Sequence, residues 1–267
     1  MTDPAISRPA RRKERLDSIL AALGADGVVE VTTMAKQLDV SVASIRRDLE
    51  LLEGRNLLVR THGGAVSRDV SYELPLRYRS GKQAAQKRAI AAEAAARVPA
   101  GRSTVGLSGG TTTTEVAHNL LEHADLTVVT NALNIASELV VRTNIRLVIT
   151  GGVARTQSYE LVGPLAEASL RGLNLDVAFL GVDGVSPVAG LTTHQEMEAH
   201  TNATLISRAR RVIAVADSTK LGKVTFAQIC SADEIHELIT DWLAPPDLVA
   251  DLRSAGVTVT IVEDPAS

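Results

Sequence analysis

The chain places glycine, threonine, asparagine, aspartate and lysine directly behind short apolar runs, where backbone N–H groups and polar side chains can gather round a ligand. After Leu107 comes Ser108-Gly109-Gly110-Thr111-Thr112-Thr113, after Val129 comes Thr130-Asn131, and after Ile149 come Thr150-Gly151-Gly152. After Leu180 comes Gly181-Val182-Asp183-Gly184, and after Val215 comes Ala216-Asp217-Ser218-Thr219-Lys220. A glycine-rich turn entering a helix exposes unpaired N–H groups at the positive end of the helix dipole, and threonine hydroxyls add donors. Gly109, Gly110, Thr111, Thr112 and Thr113 therefore point to an anion. Lys220 would add a cationic contact, Asp183 would accept from sugar hydroxyls, and Thr130, Asn131, Gly151 and Gly152 would line the same site. The plainer alternatives are a tight turn at Gly109-Gly110, a surface lysine at 220 and a turn-forming aspartate at 183. What favours a site is their shared position behind successive strands. The loop is neither a Walker A loop nor GxGxxG, which weighs against nucleoside triphosphates and dinucleotides. His194 and His200 lack i,i+4 spacing, so neither a metal nor a cofactor is expected.

A second constellation lies near the start. Ser41 caps a helix in which Ile45, Leu49 and Leu52 share one face, while Ser44, Arg46, Arg47 and Glu50 lie off it. Before it, Thr33 is expected to cap a short helix through Met34, Ala35 and Leu38, closed by the turn Asp39-Val40. Two helices joined by a tight turn form a helix-turn-helix, about residues 31–50, whose second helix enters the major groove of double-stranded DNA N-terminus first. Arg46 and Arg47 would contact guanine edges or phosphates, with Ser41 and Ser44 beside them. The run Leu57 to Val66 reads as two short strands, a wing that sets Arg60 and His62 beside the DNA backbone or minor groove. An Arg-Arg pair alone is more often a solvated helix face; the cap before it and the wing behind it favour the reading role.

These side chains need positioning elements. Leu16, Ile19, Leu20 and Leu23 recur at helical steps, giving an amphipathic first helix that Gly24 and Gly27 should end. Further on, apolar runs at 103–107, 126–129, 145–149, 177–181, 212–216, 238–239 and 257–262 alternate with helical stretches, which predicts an α/β fold with a largely parallel sheet covered on both faces. The chain thus divides into a winged helix-turn-helix domain at 11–67, a linker at 68–84 containing Pro75, and an α/β domain at 85–264.

The motifs Val40-Ser41-x-x-Ser44-Ile45-Arg46-Arg47-Asp48-Leu49 and Leu57-Leu58-x-Arg60-x-His62-Gly63-Gly64-Ala65 resemble the DeoR family of bacterial regulators. So do Gly110-Thr111-Thr112-Thr113, Val129-Thr130-Asn131, Leu161-Val162-Gly163-Pro164, Gly181-x-Asp183-Gly184, Gly190-Leu191-Thr192-Thr193 and Ala216-Asp217-Ser218-x-Lys220. The resemblance runs from about Arg11 onward. It implies an effector domain similar to ribose-5-phosphate isomerase, a phosphorylated sugar or related metabolite as effector, and repression of sugar or related carbon catabolism genes. The family usually has threonine at Ser44, and commonly an aspartate before a single-glycine turn where this chain has Ser108-Gly109.

Composition sets outer limits. At 267 residues with 45% hydrophobic content, there is material for about two domains. Residues 1–68 hold 11 lysines and arginines against 9 acids, and residues 69–267 hold 17 against 22. Arg8, Arg11, Arg12, Lys13 and Arg15 form a basic arm compatible with phosphate contact. Cys230 is the single cysteine, so no intrachain disulfide forms, and a cytoplasmic location is expected. Neither a signal-peptide core nor a long apolar span is evident, so no membrane partner is expected. A homodimer or homotetramer would pair two DNA half-sites. The alternative is a sugar-phosphate isomerase or deaminase built on Asp183 and Lys220, but such enzymes place an acid where this chain has Gly184, and a DNA-binding module has no place in them.

Overall fold

A computed structural model describes residues 12–55, 57–66, 76–79 and 82–265. It divides the chain into two units, Met1–Lys82 and Gln83–Ser267. Of the basic arm, Arg8 and Arg11 lie outside the described residues, as does most of the expected linker, Pro75 included.

The first unit runs α1 (Arg12–Asp26), β1 (Val28–Glu30), α2 (Val31–Gln37), α3 (Val42–Gly54), β2 (Val59–Arg60), β3 (Gly64–Val66) and the single turn α4 (Leu76–Arg79). Leu16, Ile19, Leu20 and Leu23 of α1 close over Met34 and Ala35 of α2 and Ile45, Leu49 and Leu52 of α3, forming one apolar core. Two boundaries differ from expectation. Helix α1 continues through Gly24 to Asp26, and the chain turns at Gly27, where φ is +71°. Helix α2 starts at Val31 with Glu30 as N-cap, and Thr33 lies inside it, its hydroxyl donating to Glu30 Oε2 at 3.2 Å. The cause is β1, a strand that leads straight into α2 and pairs antiparallel with β3. The wing is thereby a three-stranded sheet ordered β1-β3-β2.

Helix α3 is anchored by charge as well as by apolar packing. Asp48 is 1% exposed and accepts from Arg15 Nε at 2.8 Å and Arg12 Nε at 3.3 Å. Two arginines of α1 therefore clamp the buried carboxylate of α3. Arg15 is the more buried of the two partners, so breaking the Arg15–Asp48 pair strands a charge at a cost of up to about 3–5 kcal/mol, while the exposed Arg12 adds less.

The second unit runs α5 (Ala84–Ala95), β4 (Ser103–Leu107), α6 (Thr111–Asn119), β5 (Leu126–Thr130), α7 (Leu133–Leu139), β6 (Ile145–Ile149), β7 (Val153–Ala154), β8 (Leu161–Val162), α8 (Pro164–Arg171) and β9 (Val177–Gly181). It continues with β10 (Gly184–Ser186), β11 (Gly190–Thr193), α9 (Glu196–Ser207), β12 (Val212–Val215), β13 (Ala227–Cys230), β14 (Glu237–Thr240), α10 (Pro246–Ser254) and β15 (Thr258–Ile261). The apolar runs of the sequence form one seven-stranded sheet, ordered β15-β14-β12-β9-β4-β5-β6, parallel throughout. Central β9 shows why these runs are continuously apolar. Val177 and Phe179 pack into the core that holds α5 and α6, while Ala178 and Leu180 face the core that holds α9 and α10. Cys230 lies buried at the end of β13, where burial first, and nearby Glu234 second, push its thiol up to about 12. It is protonated and unreactive at neutral pH.

At the base of β14, Glu237 is 2% exposed and receives Arg97 Nη2 at 2.9 Å, Arg211 Nη2 at 2.6 Å and the Thr260 hydroxyl at 2.7 Å. Burial alone would raise its carboxyl, but the hydrogen bonds from Arg97 and Thr260 and both guanidinium charges outweigh burial and hold it below its ordinary value. A lowered folded value stabilises the fold above the unfolded carboxylate value of about 4.3, and that contribution is lost as pH falls through the folded value. Melting curves from pH 7 to 3 should therefore show Glu237→Gln less stable at pH 7 by about 1.5–3 kcal/mol, with the gap to wild type closing as acid is added. Parallel curves for the two proteins would contradict the ion-pair role.

Candidate functional site

Ser41 has extended backbone dihedrals, and its hydroxyl accepts from Ser44 N at 3.2 Å, the geometry of an N-cap. The two hydroxyls also lie 3.0 Å apart. With Ile45, Asp48, Leu49 and Leu52 buried, the helical period turns Arg46 and Arg47 to solvent. Arg47 Nε donates to Ala43 O at 3.3 Å, which draws its side chain back toward the first turn of α3. Arg60 and His62 are exposed on the wing. Arg60 also reaches back to α3, with Nη1 at 3.3 Å from Glu50 and its backbone N–H donating to Glu53 Oε1 at 3.1 Å. The wing is thereby tied to the end of α3.

In the second unit the strand order reverses between β4 and β9. From β4 the chain winds outward through β5 and β6, and from β9 it winds the other way through β12, β14 and β15. Helix α6 covers one face and α9 the other, and in such sheets the ligand crevice falls beyond the C-terminal ends of the strands at this reversal, here β4 and β9. The loops are stitched across it. Gly181 N donates to the Ser108 hydroxyl at 3.0 Å, and Ser108 N donates to Phe179 O at 3.2 Å. Gly110 caps α6 with φ of +138°, a conformation open to glycine. The hydroxyls of Thr113 and Thr114 both donate to Gly110 O, at 3.0 and 2.7 Å, so they hold the loop. The first-turn N–H groups of Thr111, Thr112 and Thr113 have no partner within the helix, as at any helix start.

The other expected residues fall into two groups. Lys220, in a short 3-10 turn after β12, sets its Nζ 3.1 Å from Asp183 Oδ1, so cation and carboxylate pair with each other at the crevice. Asn131 is 2% exposed, and its Nδ2 donates to Glu160 Oε1 at 3.2 Å. The Thr130 hydroxyl is fully buried, donating to Leu107 O and accepting from Ala132 N, which makes it a fastener of β5. Gly151 N donates to Ser169 Oγ, and Gly152, with φ of +133°, lies against the backbone of Val162. These two glycines lead into the β7–β8 hairpin, packed against α8 and against β8. Gly109 N–H is already taken, donating to Glu160 Oε1 at 2.9 Å.

Sequence reasoning missed Glu160, Asn202, Arg155 and Glu198, and quoted Thr193 only within a motif, without a role. From Lys220 and Asp183 the polar chain continues through the Thr193 hydroxyl, 3.3 Å from Asp183 Oδ2 and 2.5 Å from Glu198 Oε1, to Arg155 Nη1, 3.0 Å from Glu198 Oε2. The one local signal was Gln195-x-x-Glu198, since Gln195 caps α9 by accepting from Glu198 N at 2.9 Å.

Residues 15–70 match the DeoR-like helix-turn-helix domain, and residues 82–242 match the DeoR C terminal sensor domain. The HTH-type transcriptional regulator GlpR of Haloferax volcanii is 38% identical over 94% of this chain and 97% of that protein. The Glycerol-3-phosphate regulon repressor of Escherichia coli K12 is 32% identical over 88% of this chain and 92% of that protein. A ribose 5-phosphate isomerase from Plasmodium falciparum is similar at a TM-score of 0.36 and 16% identity, covering 55% of this chain and 53% of that one, too distant to bear on activity. Both relatives are named as regulators of transcription, and neither supports the isomerase or deaminase alternative. With both family domains in order along one chain, the protein belongs to the DeoR family of DNA-binding transcriptional regulators.

Proposed function

We propose that the protein is a cytoplasmic repressor of sugar or related carbon catabolism genes that leaves its operator when a phosphorylated sugar or related phosphorylated metabolite binds. Ser41, Ser44, Arg46 and Arg47 read the DNA with support from Arg60 and His62, in a homodimer or homotetramer whose paired reading helices engage two half-sites. The phosphate rests on the N–H groups of Gly110–Thr113, and the sugar meets Asn131, Asp183 and Lys220. The observation that carries the effector half is the glycine-capped start of α6 at the reversal point of the sheet, beside the Lys220–Asp183 pair. A relative named for a glycerol-3-phosphate regulon supports the reading of a small phosphorylated effector.

The test is a DNA-release titration. The full chain is bound to the intergenic DNA beside its own gene, and a panel of sugar phosphates is added while fluorescence anisotropy follows the complex. At least one phosphorylated compound should lower DNA affinity by about 5–150-fold, the usual size of such coupling, while its unphosphorylated counterpart does nothing. Release by the unphosphorylated sugar alone would defeat the phosphate reading.

A further inference from the structure

The Glu160 carboxylate is 1% exposed, and one oxygen accepts three neutral donors: Gly109 N at 2.9 Å, Asn131 Nδ2 at 3.2 Å and Asn202 Nδ2 at 3.3 Å. Its side chain lies so close over Gly109 that a Cβ there would collide with it. Tyr159, the residue before it, has φ of +60°, a conformation seldom held by an aromatic residue. Backbone bonds pin it there: Tyr159 N to Arg155 O, Arg155 N to Glu160 O and Leu161 N to Asn131 O, at 2.7–2.8 Å. Local strain is thus held where it aims a buried acid at the glycine loop.

The surroundings are short of donors. Asn131 Nδ2 is shared between two acceptors, Glu160 Oε1 and Leu161 O at 3.4 Å, which fixes the orientation of that amide. Asn202 Nδ2 also faces the carboxylate. Both Oδ1 atoms are buried without a hydrogen-bond partner. A buried acceptor left without a donor is costly, so the cluster of Glu160, Asn131 and Asn202 is built to receive hydroxyl donors. It begins one residue from the glycine that caps α6.

We propose that Glu160, Asn131 and Asn202 read hydroxyl groups on the carbon chain next to the effector's phosphate, making the effector a phosphorylated polyol and rejecting bare phosphate by like charge. The proposal rests on the phosphate site at the start of α6 proposed above. Glu160 and Asn202 are then specificity-determining residues of that site. Glu160→Gln keeps the size and an oxygen for the three donors while removing the charge. Asn202→Leu keeps the size and removes the unpartnered acceptor together with one of the donors to Glu160.

Thermal melts of the full chain at matched ionic strength, titrated with inorganic phosphate and with glycerol 3-phosphate, give an apparent Kd for each probe on wild type and both variants. Wild type should prefer glycerol 3-phosphate over inorganic phosphate by at least tenfold. Glu160→Gln should bind inorganic phosphate more tightly and shrink the preference at least fivefold. Asn202→Leu should lose affinity for glycerol 3-phosphate with inorganic phosphate unchanged, and it carries the test alone if the first variant does not fold. A preference shifted less than twofold by the variants overturns the proposal and leaves the phosphate site standing. Melting temperatures unmoved by either probe in all three proteins overturn the phosphate placement as well.

Discussion

Replacing Arg46 and Arg47 together by alanine is expected to abolish specific operator binding while the chain stays folded and still binds its effector. Both side chains are exposed on a helix whose opposite face is buried, so neither contributes packing that alanine would remove. Each lost base or phosphate contact should cost about 1–3 kcal/mol. The two arginines are neighbours, and additivity is only approximate, but a combined loss of about 2–6 kcal/mol is a factor of roughly 30 to more than 10,000 in Kd. Asp48 supplies the contrast, because it sits on the same helix and faces inward to Arg12 and Arg15. Asp48→Ala should also lose DNA binding, but through loss of the fold, with a depressed melting temperature for the first unit. Mobility-shift titrations beside melting curves separate the two cases. Wild-type operator affinity in the double arginine variant would remove α3 as the reading helix.

The contrast between Arg46 and Asp48 also shows what a sequence reveals about such a protein. The helical period placed Ile45, Leu49 and Leu52 on one face, and the same period puts Asp48 there, yet a lone aspartate gives no sign of burial until its arginine partners on α1 are known. The parallel strands were legible because burial on both faces makes them uninterrupted apolar runs ending in turn residues. Strands β1, β7 and β8 were not, since each is only two or three residues long, too short for an alternating or continuously apolar pattern to stand out. Missing β1 displaced the start of α2, because Val28-Val29-Glu30-Val31 carries strand into helix with no glycine, proline or usual Ser/Thr/Asp/Asn cap between them. Beyond the ends of the parallel strands, the glycine loop and the lysine–aspartate pair were legible as residues that follow strands. Glu160 was not, since it reaches Gly109 across 51 positions of sequence through a hairpin that no local spacing announces.

Alanine at Lys220 is expected to leave a protein that binds its operator as wild type does but no longer lets go when effector is added. Lys220 holds Asp183, and Asp183 is linked through Thr193 to Glu198 and Arg155, so one polar chain joins the loops after β9 and β12 to helix α9 and the β7–β8 hairpin. A ligand that engages the lysine therefore meets a group already coupled to several elements of the unit. Regulation requires that effector affinity differ between the DNA-competent form and the other, commonly by about 1–3 kcal/mol. Removing the cation would withdraw both the ligand contact proposed for it and its hold on the chain, so most of that difference should vanish. The measurable consequence is a release midpoint raised by about 5–150-fold, or no release at attainable concentrations, with operator Kd in the absence of effector within about twofold of wild type. In cells the variant would show permanent repression. Melting curves with the sugar phosphate that releases wild type distinguish lost binding from lost coupling, because a variant that is still stabilised by the compound yet keeps its DNA has lost only the coupling. If Lys220→Ala lets go of DNA at the wild-type effector concentration, neither the lysine nor the crevice around it transmits the signal.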